Sequence, residues 1–138
     1  LELYKYVEKK PFQYPSTPSL SHMYALDVQL DYILNEEGLE NRFARHNAMK
    51  EVTLDWANQH FKQFAAKNYE SATVTAVDNI HDISVADLNA KLGALGFQIS
   101  NGYGDLKQKT FRIAHMADRT MEELKEVLAL MDKIIPEL

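Results

Sequence analysis

The stretch FQISNGYGDLKQKTFRIAHM, from Phe97 to Met116, decides the fold of this chain. Its TFRIA segment, Thr110 to Ala114, is rich in β-branched and aromatic residues and predicts a strand. The NGYG segment, Asn101 to Gly104, predicts a tight turn because glycine reaches backbone angles that other residues avoid. Alternation from Phe97 to Ile99 predicts a short strand before that turn. This stretch is therefore expected to contribute two strands to a small sheet.

Arg112 is the residue of this stretch that points to chemistry. It lies between Phe111 and Ile113, and the two-residue period of a strand turns its side chain to the opposite face from both. Charge on a strand most often belongs to a surface ion pair. The alternative is a planar fork that binds a substrate carboxylate through two parallel hydrogen bonds, which lysine cannot reproduce. Replacement of Arg112 by lysine distinguishes the two interpretations.

Strands and helices alternate on both sides of this stretch. The segment ATVTAV, Ala72 to Val77, is β-branched and alternating and predicts a third strand. Two helices are predicted by apolar residues at helical spacing between capping and breaking residues. One runs from Ser84 to Gly96, and the other is capped by Thr120 or Asp118 and stopped by Pro136.

The first half of the chain predicts two helices after a proline-rich loop. The loop is PFQYPSTPS, Pro11 to Ser19, and Thr17 followed by Pro18 predicts an N-cap with proline at the first helical position. Apolar residues then recur at helical spacing until Gly38, and a second helix is predicted from Leu39 to Ala66. The predicted fold class is α/β, with helices that cover one face of a small sheet of three short strands.

Composition excludes several classes of function. The chain has 138 residues with 15 Lys+Arg against 20 Asp+Glu, so its formal charge is −5 and neither nucleic acid nor a membrane surface is an expected partner. It has no cysteine, which removes disulfides, thiolate metal sites and cysteine nucleophiles. No apolar run approaches the ~20 residues that span a bilayer. Because the chain starts at Leu1 rather than Met, we expect it to be a piece of a longer protein.

Histidines and hydroxyls offer few further candidates for a site. The 5 histidines are scattered and form no HxxxH or HxH pair, so no metal site is predicted, and His46 is expected to be a half-buried packing residue. Tyr14 and Thr17 carry hydroxyls, and Thr17 precedes a helix N-terminus, where an anion is favoured. The simpler interpretation is that Thr17 only caps the helix and that Tyr14 is an ordinary loop aromatic.

Four stretches, in a fixed order, carry a resemblance to a known family. They are YPSTPS (Tyr14 to Ser19), EEGLENRFARH (Glu36 to His46), ATVTAV (Ala72 to Val77) and FQISNGYGDLKQKTFRIAHM (Phe97 to Met116). Together they resemble the C-terminal part of the class V aminotransferases, which include alanine–glyoxylate, serine–pyruvate and phosphoserine aminotransferases. The resemblance implies a C-terminal small domain at residues 20–138, with a mostly antiparallel sheet and a preceding two-helix segment, after the end of a large-domain segment and a loop at residues 1–19.

The resemblance also implies a function for the parent protein. It would transfer an amino group between an amino acid and a 2-oxo acid with pyridoxal 5'-phosphate as cofactor. Arg112 resembles the family arginine that binds the substrate carboxylate. Tyr14 and Thr17 resemble the tyrosine and threonine that reach the phosphate of the cofactor bound to the neighbouring subunit, which implies a homodimer. A cytoplasmic location is expected.

The same resemblance limits what the chain is expected to do alone. The family's cofactor lysine lies upstream of Leu1, so no catalytic lysine is predicted here and the chain alone should be inactive. Asn101 to Lys109 holds no cysteine where the related cysteine desulfurases carry theirs, which argues against that activity. The alternative function is a free-standing α/β module that binds an amino acid or a partner protein. A reading frame with the cofactor lysine before Leu1 would exclude that module.

Overall fold

The computed structural model describes Tyr4, Lys5, Glu8 and residues 16–138, so Tyr14 lies outside the described residues. The chain forms two compact units, Leu1–Leu39 and Glu40–Leu138. The predicted division of the chain after residue 19 stays a prediction.

The first unit contains helix α1, Leu20–Asp31, which continues as a π-helical segment, Tyr32–Glu37. Gly38 follows with a φ of 83°, a left-handed value that favours glycine, so the predicted helix stop is confirmed.

The predicted start of α1 is wrong. The N-cap position belongs to Ser19, and both Thr17 and Pro18 lie before it. Serine is as good an N-cap residue as threonine, so the sequence offered two starts within three residues. The Ser19 hydroxyl makes no cap hydrogen bond, and it lies instead 2.6 Å from Nδ1 of His22.

Helix α2, Leu39–His60, ends before the predicted Ala66. Phe61 follows it with a buried side chain, and Lys62–Gln63 forms a short strand, β1, that the sequence did not predict. The Phe61 ring packs edge-on against Phe111, with centroids 5.2 Å apart. Phe61 packs on the core just after the helix ends, and in the sequence it continues the apolar stripe of α2. For this reason the predicted helix is too long.

The sheet has four antiparallel strands in the order β1-β2-β4-β3. Strand β2 is Val74–Asp78, β3 is Ser100–Asn101 and β4 is Thr110–Ala114. The prediction of a small antiparallel sheet is confirmed, with four strands instead of three. The predicted strand at Phe97 to Ile99 is wrong, because these residues precede β3. The Ile99 amide donates to Oδ1 of Asn89, not to the sheet.

Helices cover one face of this sheet, as predicted. Helix α3, Val85–Gly93, is shorter than expected and is capped by Ser84, whose side chain accepts from the Asp87 amide. Helix α4, Met121–Ile134, begins with a capping box between Thr120 and Glu123, which resolves the choice between two predicted caps. Side chains from β2, β4 and the three helices of the second unit form one core: Met49, Trp56, Val77, Leu88, Leu92, Phe111, Ile113, Leu128 and Met131.

A buried histidine follows strand β4. His115 is 0% exposed, its Nε2 lies 3.0 Å from Oγ1 of Thr75, and its Nδ1 has no hydrogen-bond partner among the residues that the structure describes. Burial lowers the pKa of His115, the polar backbone at Ala72 opposes this shift, and electrostatic repulsion between His115 and its neighbours His46 and Lys50 adds to it. The folded second unit therefore favours the neutral ring.

We expect the free energy of unfolding to fall as the pH drops below the ordinary histidine pKa of 6.5. Above that pH the contribution of His115 is fully present, and below it the unfolded chain takes up a proton that the buried ring resists. The slope for this one proton is at most about 1.4 kcal/mol per pH unit. Urea denaturation at a series of pH values measures it.

Two variants make this test specific. His115→Gln should lose much of the slope, whereas His22→Gln, a change at an exposed histidine, should keep it. Equal slopes in both variants would contradict a role for His115.

Candidate functional site

The site is built around Arg112 in the middle of β4. Phe111 and Ile113 on either side are buried in the core, so the pleat turns Arg112 to the other face of the sheet, as predicted. Its neighbours across the sheet are Ala76 on β2 and Ser100 on β3. We call this the open face, the face that carries Arg112, Ala76 and Ser100. Ala76 and Ser100 have small side chains, so they do not cover the half-buried side chain of Arg112.

The Arg112 guanidinium is held by one edge. Its Nε and Nη2 atoms, the side edge of the planar group, both donate to the backbone carbonyl oxygen of Asn101, at 3.3 and 3.2 Å. Within residues 16–138 no acceptor is found for Nη1, and no carboxylate lies within 4.0 Å of the group. The end edge, formed by Nη1 and Nη2, therefore has no partner in the described structure. An ion-pair partner for Arg112 is absent from these residues, and its role as a carboxylate clamp stays a prediction.

The loop between β3 and β4 fixes the position of that carbonyl. The Gly102 amide donates to the Thr110 carbonyl oxygen at 2.8 Å, and Oδ1 of Asn101 accepts from the Gln108 amide at 2.8 Å. A single 3-10 turn, Gly104–Leu106, completes the loop. The predicted tight turn is thus part of a longer, internally hydrogen-bonded loop.

Tyr103 lies at the exposed side of this loop. Its side chain is 83% exposed, and Cζ of Arg112 stands over its ring, 6.0 Å from the centroid. That distance is the outer limit of a cation–π contact. The Arg112 guanidinium therefore has a carbonyl oxygen on its side edge and lies above the face of an aromatic ring.

Comparison with known proteins places this arrangement in context. No family model matches the chain. The chain is 34% identical over 136 residues to an uncharacterised aminotransferase of Methanocaldococcus jannaschii, a match that covers 97% of this chain and 35% of that protein. It is 30% identical over 131 residues to a serine–glyoxylate aminotransferase of Arabidopsis thaliana, which covers 91% of this chain and 32% of that protein.

A solved structure shows the same fold. An alanine–glyoxylate aminotransferase from Nostoc sp. matches with a TM-score of 0.79 at 20% identity, over 96% of this chain and 36% of that one. Over nearly its whole length, the chain is similar to a fragment of these aminotransferases. It spans about a third of the length of the curated relatives. Its small antiparallel sheet with helices is the fold of aminotransferase C-terminal domains, which confirms the predicted fold class.

Thr17 belongs to the first unit, Leu1–Leu39. It is exposed and lies shortly before α1, whose first turn has no acidic residue and no side-chain cap. Among the described residues, no side chain caps the amide N–H groups of that turn, the groups that attract an anion at a helix start. The roles predicted for Thr17 and for Tyr14, which lies outside the described residues, stay predictions.

A cleft of about 790 Å³ lies in the second unit. Met49, Phe97, Ile113 and Val127 give it an apolar wall, and Ser100 and Ala114 also line it. Arg112 does not line it, so we assign the site from the geometry of the arginine and not from the size of the cleft.

The remaining candidates are structural in the described part of the chain. There, no group of three or more His, Cys, Asp or Glu is arranged to hold a metal ion. His46 is buried, not half-buried, and its Nε2 lies 3.2 Å from the Ala117 carbonyl oxygen. The Arg45 guanidinium donates to the same oxygen and to that of Arg119, so α2 holds the loop after β4. None of the described helices is long and apolar enough to cross a membrane.

Sequence reasoning missed Tyr103 and Asn101. The NGYG segment predicted only a turn. The role of the Asn101 backbone carbonyl could not be predicted, because every residue type has this group. The signal for Tyr103 is an aromatic residue between two glycines, because an exposed ring contributes nothing to the turn itself.

Gly102 provides a test of the loop geometry. A methyl group there would collide with the backbone oxygen of Leu106 and the hydroxyl of Thr110. We expect Gly102→Ala to lower the free energy of unfolding by about 1–3 kcal/mol, as overpacking does.

Gly93→Ala is the matched control, because the space around its Cβ is open. It should be neutral or stabilise by up to about 1 kcal/mol, since glycine is unfavourable in a helix. Urea unfolding of both variants measures the difference. Similar stabilities for the two variants would contradict the close approach at Gly102.

Proposed function

We propose that this chain is the C-terminal part of a pyridoxal-phosphate-dependent aminotransferase, in which Arg112 binds the carboxylate of the substrate. The observation that carries the proposal is the end edge of the Arg112 guanidinium, which has no described partner on the open face. Similarity to two aminotransferases over more than nine-tenths of the chain supports the reaction class. An amino acid and a 2-oxo acid are then the substrates.

The chemistry of these substrates suits a single arginine. Both the amino acid and the 2-oxo acid carry a carboxylate next to the carbon that exchanges its nitrogen. A carboxylate that accepts from Nη1 and Nη2 is fixed in position and in plane, which lysine, a point charge, does not achieve. The role of Arg112 is to orient the substrate, since the guanidinium neither donates nor accepts a proton during turnover.

The start of α1 fits the phosphate of the cofactor. Thr17 offers a hydroxyl beside a helix N-terminus that has no described side-chain cap and no acidic residue in its first turn. We propose that Thr17, with Tyr14, binds the phosphate of pyridoxal 5'-phosphate held by a neighbouring subunit. When bound, that cofactor supplies the chemistry of amino-group transfer. We also propose that the cofactor lysine belongs to a part of the longer protein outside this chain, so the chain alone is inactive.

Helix α1 supports a homodimer as the working form. None of its residues is buried, and its apolar side chains are exposed all round: Leu20, Met23, Tyr24, Leu26, Val28 and Leu30. Such a helix needs an apolar cover. We propose that the neighbouring subunit and the rest of the longer protein supply this apolar cover. We also propose that the protein is located in the cytoplasm. A free-standing module would leave this helix uncovered.

The first test is Arg112→Lys in the complete enzyme. Loss of a bidentate, charge-assisted contact should lower kcat/KM for the amino acid about ten- to a hundredfold, equivalent to roughly 1.5–3 kcal/mol. The melting temperature should move little, because the described partner of the side chain is one carbonyl oxygen. Arg119→Lys, a change in an exposed ion pair of the same unit, is the control and should leave kcat/KM unchanged. A variant that unfolds readily while its folded fraction keeps full activity would make Arg112 a structural residue.

The second test concerns the cofactor phosphate. A mixed dimer combines one subunit carrying Thr17→Ala and Tyr14→Phe with one subunit that lacks the cofactor lysine. The reference is a mixed dimer in which the lysine-bearing subunit is unsubstituted. Relative to it, we expect the two substitutions to weaken cofactor binding only in the site of the lysine-less subunit, because the hydroxyls serve the neighbouring site. Weakening confined to the site of the substituted subunit would refute the cross-subunit arrangement.

A further inference from the structure

Tyr103 is an exposed aromatic residue whose position is set by its loop. The residues around it are tied down: Gly102 is hydrogen bonded to Thr110, and the Leu106 amide donates to the Tyr103 carbonyl oxygen at 3.0 Å. Substitution at Gly102 is blocked by close backbone approach. The ring itself contributes no burial to the core, since 83% of the side chain is exposed. A contribution to the stability of the fold therefore does not explain an aromatic side chain at position 103.

We propose that Tyr103 is a positioning residue that holds the Arg112 guanidinium for the carboxylate of the substrate. Cζ of Arg112 stands over the Tyr103 ring, 6.0 Å from its centroid, while the Asn101 carbonyl oxygen occupies the side edge of the guanidinium. Together they leave the end edge as the direction of approach. This inference rests on the proposed function of Arg112. It adds that the loop between β3 and β4 orients the Arg112 guanidinium.

The physical reason lies in the freedom of an arginine side chain. Arginine loses rotamer entropy when it is fixed, and a fork that is already held loses less when a ligand binds. A carbonyl oxygen shared by Nε and Nη2 limits rotation of the guanidinium in its plane, and attraction of the cation to the ring face favours positions of Cζ above the ring. A cation–π contact at an exposed site is modest, so the expected effect on carboxylate binding is about two- to fivefold.

The contact can be tested without catalysis. In the 138-residue chain, the Arg112 side-chain proton resonances should be shifted upfield by the ring of Tyr103. Tyr103→Leu should remove this shift, and Tyr103→Phe should keep it. Because the side chain is exposed, both variants should keep the melting temperature of the parent chain. Resonances that stay in place in Tyr103→Leu would overturn the contact.

The effect on recognition is measured in the complete enzyme with L-alanine and with ethylamine, the same amine without its carboxylate. The ratio of kcat/KM for the two amines reports carboxylate recognition alone. We expect Tyr103→Leu to lower this ratio about two- to fivefold and Tyr103→Phe to leave it near the parent value. Arg112→Lys should lower it about ten- to a hundredfold.

The two variants separate the inference from the function on which it rests. A ratio that falls in Arg112→Lys but is unchanged in Tyr103→Leu overturns the role of Tyr103 and leaves the carboxylate clamp in place. A ratio unchanged in Arg112→Lys overturns the clamp itself. An equal fall in Tyr103→Leu and Tyr103→Phe would assign the effect to the hydroxyl and contradict stacking by the ring.

Discussion

Burial of Phe111 and Ile113 beneath the sheet is the constraint on which the rest of the structure depends. Each side chain contributes roughly 1.5–3 kcal/mol by leaving water, and both lie on the helix-covered face. A slip of one residue in the register would exchange the faces and bury the guanidinium of Arg112 instead. Desolvation of that charge would cost several kcal/mol more. Core packing therefore decides where the arginine points.

The surroundings of Arg112 orient its charge without neutralising it. A neutral carbonyl oxygen on the side edge and a neutral aromatic ring nearby leave the positive charge available to an anion. A carboxylate in the place of the Asn101 carbonyl would have formed an internal ion pair and competed with a ligand. The internally hydrogen-bonded loop between β3 and β4 thus places a neutral backbone oxygen beside Arg112. A side-chain carboxylate at the same position would compete with the ligand for the guanidinium.

Local patterns made much of the fold predictable. Strand β4 has the predicted limits because β-branched and aromatic residues are concentrated in it and the side chains alternate between the two faces from Phe111 to Ala114. Ser84 and Thr120 cap their helices as expected, since a hydroxyl before an apolar helical stripe is a local signal. Strand β1 was missed because its pairing with β2 is long-range and the stripe through Phe61 continues the helical period.

The candidate site was predictable only in part, for the same reason. The direction of Arg112 follows from the two-residue period of its strand. Its partners do not, because Asn101 contributes a backbone atom and Tyr103 meets the guanidinium only through the shape of the loop. Ser19 in the place of Thr17 at the start of α1 shows that adjacent hydroxyl residues leave a cap undecided at the level of sequence.

The most direct test of the account is a crystal structure of the complete enzyme with a bound 2-oxo acid. The account predicts that both carboxylate oxygens lie within hydrogen-bond distance of Nη1 and Nη2 of Arg112, with the Asn101 carbonyl oxygen still on the side edge. A carboxylate bound by other residues, with Arg112 paired to an aspartate or glutamate, would contradict it.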